Sequence, residues 1–400
     1  MKNGGTDMNG ILKSITAACV SAFSALLFSL AASATEPVVV GILHREDFAY
    51  ANMMKNAFEM ALEEINNAGG IKGQPLQLAF SDDRGDPKAG EQAVKTLVQE
   101  KKVVMMVGGY SSSNTLQMAY MSNRLDRPFL VSTAADDHIT QHNLENIYRL
   151  NPPACEYTKG LEEFLLDRVK PASMSIVYEN SPYGTGSARR MMGFCRANGI
   201  EIKGIHPYFK KGVTPEYLQK ILNPIQQDQP DAIFMVSYLK DATMLVCKAK
   251  EMKIRSLLCG GAGGFTHDSF CRKAGNASEN MLTATLWSPA ATFPKAADFN
   301  KRFIERYSIQ PDYHAAEAYS ALLVCADALN RSPSLNPDDI RAALDDTKME
   351  TPFGSVEFKN YGLFKRQNAS ATQVFQIKNG SFETIWPPSL ATSTYTAPTN

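Results

Sequence analysis

The chain has 400 residues, 41 basic against 41 acidic, and a formal net charge of zero. No basic stripe points to nucleic acid, and no segment beyond the N-terminal leader has the run of roughly 20 apolar residues that spans a bilayer. Even without that leader the length exceeds what one hydrophobic core usually serves, so two domains are expected.

Lys2 and Lys13 precede an uncharged run from Ile15 to Ala31, and Ala32-Ser33-Ala34 fits the small-x-small pattern of a signal-peptidase site. The reading is export with cleavage after Ala34, residues 1–34 being a signal peptide whichever of Met1 and Met8 is the start. Thr16-Ala17-Ala18-Cys19 lacks the aliphatic residue expected before a lipidated cysteine.

The stretch from Ala57 to Thr115 is the most informative. Phe58, Ala61, Leu62 and Ile65 recur on one helix face, and Asn67-Ala68-Gly69-Gly70 stops the helix. Leu76, Leu78 and Phe80 alternate as a strand. Asp86-Pro87 reads as N-cap plus N1 proline, opening a helix with Ala93, Val94, Leu97 and Val98 on its apolar face. Val103 to Val107 is apolar on both faces, as a parallel strand covered by helices must be. Tyr110-Ser111-Ser112-Ser113-Asn114-Thr115 then leads into a helix, placing serines at a helix N-terminus beyond a strand, where free N–H groups attract anions. Plain capping is the competing reading of those serines. Pro128 to Val131 is another short buried strand, ending in the small, polar Ser132-Thr133-Ala134-Ala135-Asp136-Asp137.

The same alternation resumes downstream: strands at 173–178, 201–205, 231–236 and 256–259, helices at 183–197, 215–227 and 242–252. It predicts a second parallel sheet, whose strand ends carry Ser181-Pro182-Tyr183, Ser237-Tyr238 and the glycine-rich 260–264 loop. That loop lacks the Lys-Ser/Thr of a P-loop and the GxGxxG order, so nucleotide binding is not expected. Helices follow at 294–307 and 313–329, and Asn336-Pro337 opens another. Residues 387–400 read as a disordered Ser/Thr/Pro tail.

Taken in order, the segments Glu64 to Pro87, Gly108 to Thr115, Arg127 to Thr140 and Ser181 to Gly186 closely resemble the branched-chain amino-acid (Leu/Ile/Val) binding proteins, periplasmic receptors of hydrophobic amino-acid and amide ABC importers. The similarity runs from about Val39 to about Ile385. It implies an α/β, type I periplasmic binding protein fold, in which two parallel-sheet lobes joined by a three-segment hinge close on a ligand. The expected division is 35–150 plus 287–353 for the first lobe and 151–286 plus 354–386 for the second, with the last crossing near Gly354. Carried over position by position, Tyr110, Ser111 and Ser112 with Ser132, Thr133 and Ala134 would hold a ligand carboxylate. Tyr183 matches an aromatic that packs on the ligand from the second lobe, and Tyr238 lies at the next strand end.

The sequence departs from the family twice. His44-Arg45-Glu46-Asp47-Phe48-Ala49-Tyr50 replaces a small, glycine-containing loop, adding Phe48 and Tyr50 as an aromatic wall. Arg45 either helps hold an anion or pairs with Glu46 or Asp47. Where amino-acid binders of the family commonly place a glutamate for the ligand's ammonium group, this chain has Ala262. Either another acid takes that role, with Asp241, Glu317 and Asp136 the candidates, or the ligand has no ammonium, which is the favoured alternative.

The expectation is therefore a monomeric periplasmic receptor for a small-molecule carboxylate, partnered by the membrane permease subunits of an importer, with no cofactor, metal or turnover. A ligand sensor for a membrane kinase or chemoreceptor would have the same sequence features. An exported enzyme is disfavoured, since no GxSxG elbow or metal motif is present. Six cysteines survive cleavage, most expected as buried thiols, with a Cys259 to Cys271 bridge as one candidate. His138 and His142 stand four apart but lack accompanying metal ligands, and read as solvated helix residues.

Overall fold

The computed structural model describes residues 1, 36–48, 50–289, 293–370 and 372–397. Apart from Met1, the expected signal peptide lies outside the described residues, as does Ala49. Among the described residues no helix is long and apolar enough to cross a membrane.

Strands β1 (Val38–His44), β2 (Leu76–Asp82), β3 (Met105–Gly108), β4 (Phe129–Val131) and β5 (Ile147–Arg149) pair in parallel in the order β2-β1-β3-β4-β5. Their inward positions are apolar because helices cover both faces. The helix Ala51–Asn67 buries Met54, Ala57, Phe58 and Ala61, and the helix beginning at Pro87 buries Ala93 and Val94. As the sequence predicts, Asp86 caps that helix by accepting from the Ala89 N–H at 2.9 Å.

The second lobe repeats the plan. Strands β6 (Ser173–Glu179), β7 (Glu201–Tyr208), β8 (Ala232–Val236), β9 (Leu257–Gly260) and β10 (Leu282–Thr285) run in the order β7-β6-β8-β9-β10. In both lobes the strand order reverses beside the first strand, and such a switch opens a crevice at the strands' carboxyl ends. The loops that sequence reading singles out follow β1, β3 and β4 in one lobe, and β6, β8 and β9 in the other.

The last third of the chain corrects two expectations. Strands β11 (Lys348–Thr351), β12 (Gly354–Tyr361) and β13 (Phe364–Asn368) extend the first sheet, with Phe358 opposite Asn368 and Gln367 opposite Arg149. The final crossing therefore follows Asn368 and precedes Gln373 instead of lying near Gly354. The hairpin turns at Gly362, and its second strand sits between β12, where Gln367 pairs with Lys359, and β5, where it pairs with Arg149. Beyond the crossing, β14 (Gln373–Lys378) pairs antiparallel with β10, and β15 (Ser381–Trp386) with β14.

Residues 387–397, expected to be a disordered tail, pack instead on the second lobe. Thr392 donates to the Thr384 carbonyl at 2.8 Å, Thr396 donates to Gln376 at 2.9 Å, and the Tyr395 ring meets Phe164 at 5.1 Å. Composition alone hid this because the anchors are a single aromatic and backbone hydrogen bonds. The Cys259–Cys271 bridge is not formed, since Cys259 is a buried free thiol.

The passages between the lobes are bonded to one another: the Ser288 hydroxyl on the second donates to the Gln373 side chain just beyond the last at 3.0 Å, and the Asn368 side chain just before the last donates to the Leu150 carbonyl on the first at 2.9 Å.

Candidate functional site

Between the lobes lies a cavity of about 30 Å³ lined by Tyr110, Ser112, Thr133, Ala135, Tyr157, Tyr313 and His314 on one side and Tyr183, Tyr238 and Gly263 on the other. Its walls are built by local rules. Ser111 is the N-cap of the helix Ser112–Arg124, but its side chain makes no capping bond. The first-turn N–H groups, which have no intrahelical partner, are thus left for a ligand. Gly108, with φ at +121°, lets β3 end flush against β1: a Cβ there would sit 2.3 Å from the Leu43 carbonyl oxygen.

Ser112 ties the two first-lobe loops together. Its hydroxyl oxygen accepts from the Ala135 and Asp136 N–H groups at 3.3 and 3.1 Å, so its proton is available in another direction. The loop is also held from behind by Arg149, whose buried guanidinium donates to the carbonyls of Asp136 (2.7 Å) and Ala134 (3.4 Å), to Gln367 (2.6 Å) and to Thr140 (3.0 Å). Burial lowers the Arg149 pKa, opposed by Asp137, Tyr157 and Asp136. Turning those carbonyls inward toward Arg149 frees Thr133 to face the cleft. Asn151 and Tyr157 both donate to the Thr133 carbonyl, at 2.6 and 3.4 Å.

The second lobe contributes aromatic faces. The Tyr183 hydroxyl donates to the Gly261 carbonyl at 2.8 Å, and Tyr183 and Tyr238 pack at 5.6 Å. Gly263, at φ +55°, has to lack a side chain because a Cβ would fall 2.4 Å from the Tyr183 hydroxyl. Desolvation raises the pKa of Tyr110, Tyr157, Tyr183 and Tyr313 well above the usual phenol range, so they act as neutral hydrogen-bonding groups.

Of the residues singled out from sequence, Tyr110, Ser112, Thr133, Tyr183 and Tyr238 line the cavity. Tyr50 stacks on His314 with centroids 3.7 Å apart, and its hydroxyl donates across the cleft to the Gly263 carbonyl at 2.9 Å. Phe48 packs on Tyr110 at 4.2 Å. Ser111 stands beside the cavity with its hydroxyl 3.4 Å from that of Ser113; Ser132 turns its hydroxyl to Thr133 at 3.1 Å. Ala134 and Ala262 are fully buried behind the lining. Arg45 lies over the Gly85 loop, outside the lining. His138 meets the Asp136 carboxylate at 2.9 Å and stacks on His142 at 5.5 Å.

Sequence reading missed Tyr157, Tyr313 and His314 as lining residues. The signal was present in Pro311-Asp312: the Asp312 carboxylate caps the helix Tyr313–Arg331 by accepting from the His314 and Ala315 N–H groups at 3.0 and 3.3 Å, and it also meets the His314 ring at 3.0 Å.

The family model described as "Periplasmic binding protein" matches residues 46–381. The chain belongs to that family. Among curated relatives, Leu/Ile/Val-binding protein homolog 7 of Brucella melitensis is 24% identical over 353 residues, covering 84% of this chain and 87% of the relative. Homolog 8 of Brucella abortus is 25% identical over 355 residues, covering 83% and 85%. The substrate-binding protein LivJ of Streptococcus pneumoniae, solved with isoleucine, superposes with a TM-score of 0.79 at 20% identity, covering 88% of this chain and all (100%) of LivJ. A solute-binding protein of R. palustris, solved with benzoate, superposes at 0.77 with 16% identity, covering 88% and 96%. As a periplasmic binding protein the chain thus has the two-lobed fold shared by receptors whose crystallised ligands are an amino acid and an aromatic acid.

Proposed function

We propose that the protein is the extracytoplasmic substrate-binding component of an ABC importer, closing its lobes on one small organic carboxylate and delivering it unchanged to membrane permease subunits. The supporting observation is the cavity itself. A helix N-terminus and the hydroxyls of Ser112 and Thr133 face it from one lobe, while Tyr183 and Tyr238 face it from the other. Anion donors on one jaw with apolar, polar-tipped rings on the other suit a carboxylate carrying a hydrocarbon body. The relatives named for leucine, isoleucine and valine, and the neighbours solved with isoleucine and benzoate, support the same ligand class.

Calorimetry across amino acids, amides and aromatic acids is expected to find a binder with one site per chain, recovered chemically intact after prolonged incubation. A panel without any binder, or a ligand converted by pure protein, overturns the proposal.

A further inference from the structure

Glu317 lies one helical turn beyond Tyr313, on the same face of the helix Tyr313–Arg331. Side chains on a helix lean toward its N-terminus, which here is the end at the cleft. Glu317 is completely buried, and neither carboxyl oxygen has a hydrogen-bond partner. The groups around it are cleft residues: Tyr313 and Tyr157 feel its charge, and the Thr133 hydroxyl approaches it without closing a bond of ordinary geometry. An acid that served packing alone would have partners, because an unpaired buried polar group costs about 1–3 kcal/mol or more. Among the described residues no lysine or arginine lines the cavity, and the tyrosine rings present π faces that attract cations.

Asp136 accepts from the His138 N–H and Asp312 is held by His314. Asp241 stands behind the lining as Glu317 does, and one of its oxygens also lacks a partner, but it sits on the second lobe where the charges of Lys210 and Lys240 already offset its own.

Building on the proposed carboxylate receptor, we infer that Glu317 seats a positively charged nitrogen of the ligand on the first lobe, between its carboxyl group and the tyrosine faces. The ligand is then a zwitterion whose ammonium group is taken by the jaw that also holds its carboxylate, and Ala262 needs no acidic replacement on the second lobe.

A proton signature follows. Burial raises the Glu317 pKa well above its ordinary value, with Thr133 opposing the rise and Asp312 adding to it, which favours the protonated acid in the empty site. An arriving ammonium favours the carboxylate and expels that proton to solvent. The facing phenols of Tyr157 and Tyr313 are raised further out of range, and Asp312 is held low by His314, the remaining titratable neighbour on the helix.

The test is calorimetry with leucine and phenylalanine against 4-methylpentanoate and 3-phenylpropanoate, near neutral pH, in phosphate and in Tris. At least one amino acid is expected to bind about tenfold or more tighter than its des-amino counterpart, a ratio worth about 1.4 kcal/mol. About one proton should be released per bound amino acid. Glu317→Gln should abolish both effects while des-amino binding and melting temperature change little. Equal affinity within each pair, or proton release persisting in Glu317→Gln, overturns the assignment and leaves the carboxylate receptor standing. If Glu317→Gln does not fold, the wild-type affinity ratio and proton count decide alone. A protein that binds none of the four, nor any ligand of the wider panel, fails as a receptor altogether.

Discussion

At the residue scale, the proposed carboxylate would be held by hydroxyl groups. Ser112 and Thr133 face the cavity, whereas Ser111 points its hydroxyl toward Ser113. Ser112→Ala with Thr133→Val is therefore expected to weaken carboxylate binding by roughly 1–3 kcal/mol, the cost of depriving a charged acceptor of donors. Ser111→Ala should change affinity little, and parallel titration calorimetry of the two variants separates these outcomes. His44, at the end of β1, titrates against the fold. Burial lowers its pKa to about 4, despite Asp82 nearby. The unfolded chain takes up this proton first, near the ordinary histidine value of about 6.5. Stability contributed by neutral His44 is present above that value and is lost as pH falls toward 4. His44→Gln should flatten that part of the stability curve in urea titrations between those limits. The lining tyrosines at strand ends and the strand-end hydroxyls were legible in sequence, because open α/β sheets bind at those ends. Tyr157 was not, and although Pro311-Asp312 announced the helix of Tyr313 and His314, nothing local said that its start meets the cleft.

At the element scale, two N-caps with the same chemistry differ in what they support. Asp86 caps a helix on the outer face, and Asp312 caps the helix that carries Tyr313, His314 and Glu317. Either substitution to alanine is expected to cost about 0.5–2 kcal/mol of stability. Only Asp312→Ala should also reduce ligand affinity, because it frees the His314 ring on which Tyr50 stacks. Chemical denaturation paired with calorimetry on both variants checks this, and equal affinity would mean that the helix start is held by packing alone. The helices and parallel strands themselves were legible from caps and periodicity, Asp86-Pro87 and Asn336-Pro337 being the clearest. The hairpin Gly354–Asn368 was not. Its strands carry charged residues such as Glu357, Lys359 and Arg366, and nothing local says which sheet edge they join; only the pairing of Gln367 with Arg149 settles it. Burial of Arg149 was equally unreadable, since its partners are two loop carbonyls, Thr140 and a glutamine of the distant strand β13.

At the scale of the whole molecule, the lobes are already closed. A cavity of about 30 Å³ holds about one water molecule, whereas small-molecule pockets usually run to about 300–1,000 Å³. The ligand therefore enters only after the lobes part or Tyr50 swings out. Tyr50 is the point at which these two motions meet. It rises from the loop after β1, stacks on His314 of its own lobe, and reaches the other lobe through its bond to the Gly263 carbonyl. Closure without ligand draws on this bond, and an intramolecular hydrogen bond of this kind contributes about 0.5–1.5 kcal/mol net. Tyr50→Phe keeps the ring and its stacking but removes the donor, so it should shift the empty protein toward the open form. The radius of gyration of the unliganded variant by small-angle scattering should exceed that of the wild type, and the two should converge once ligand is saturating. Because the open form is the one that admits ligand, the association rate measured by stopped-flow fluorescence should rise by up to about tenfold, the population change such a free energy allows. An unliganded variant with wild-type dimensions and an unchanged association rate would show that Tyr50 fills space in the cleft without holding it shut.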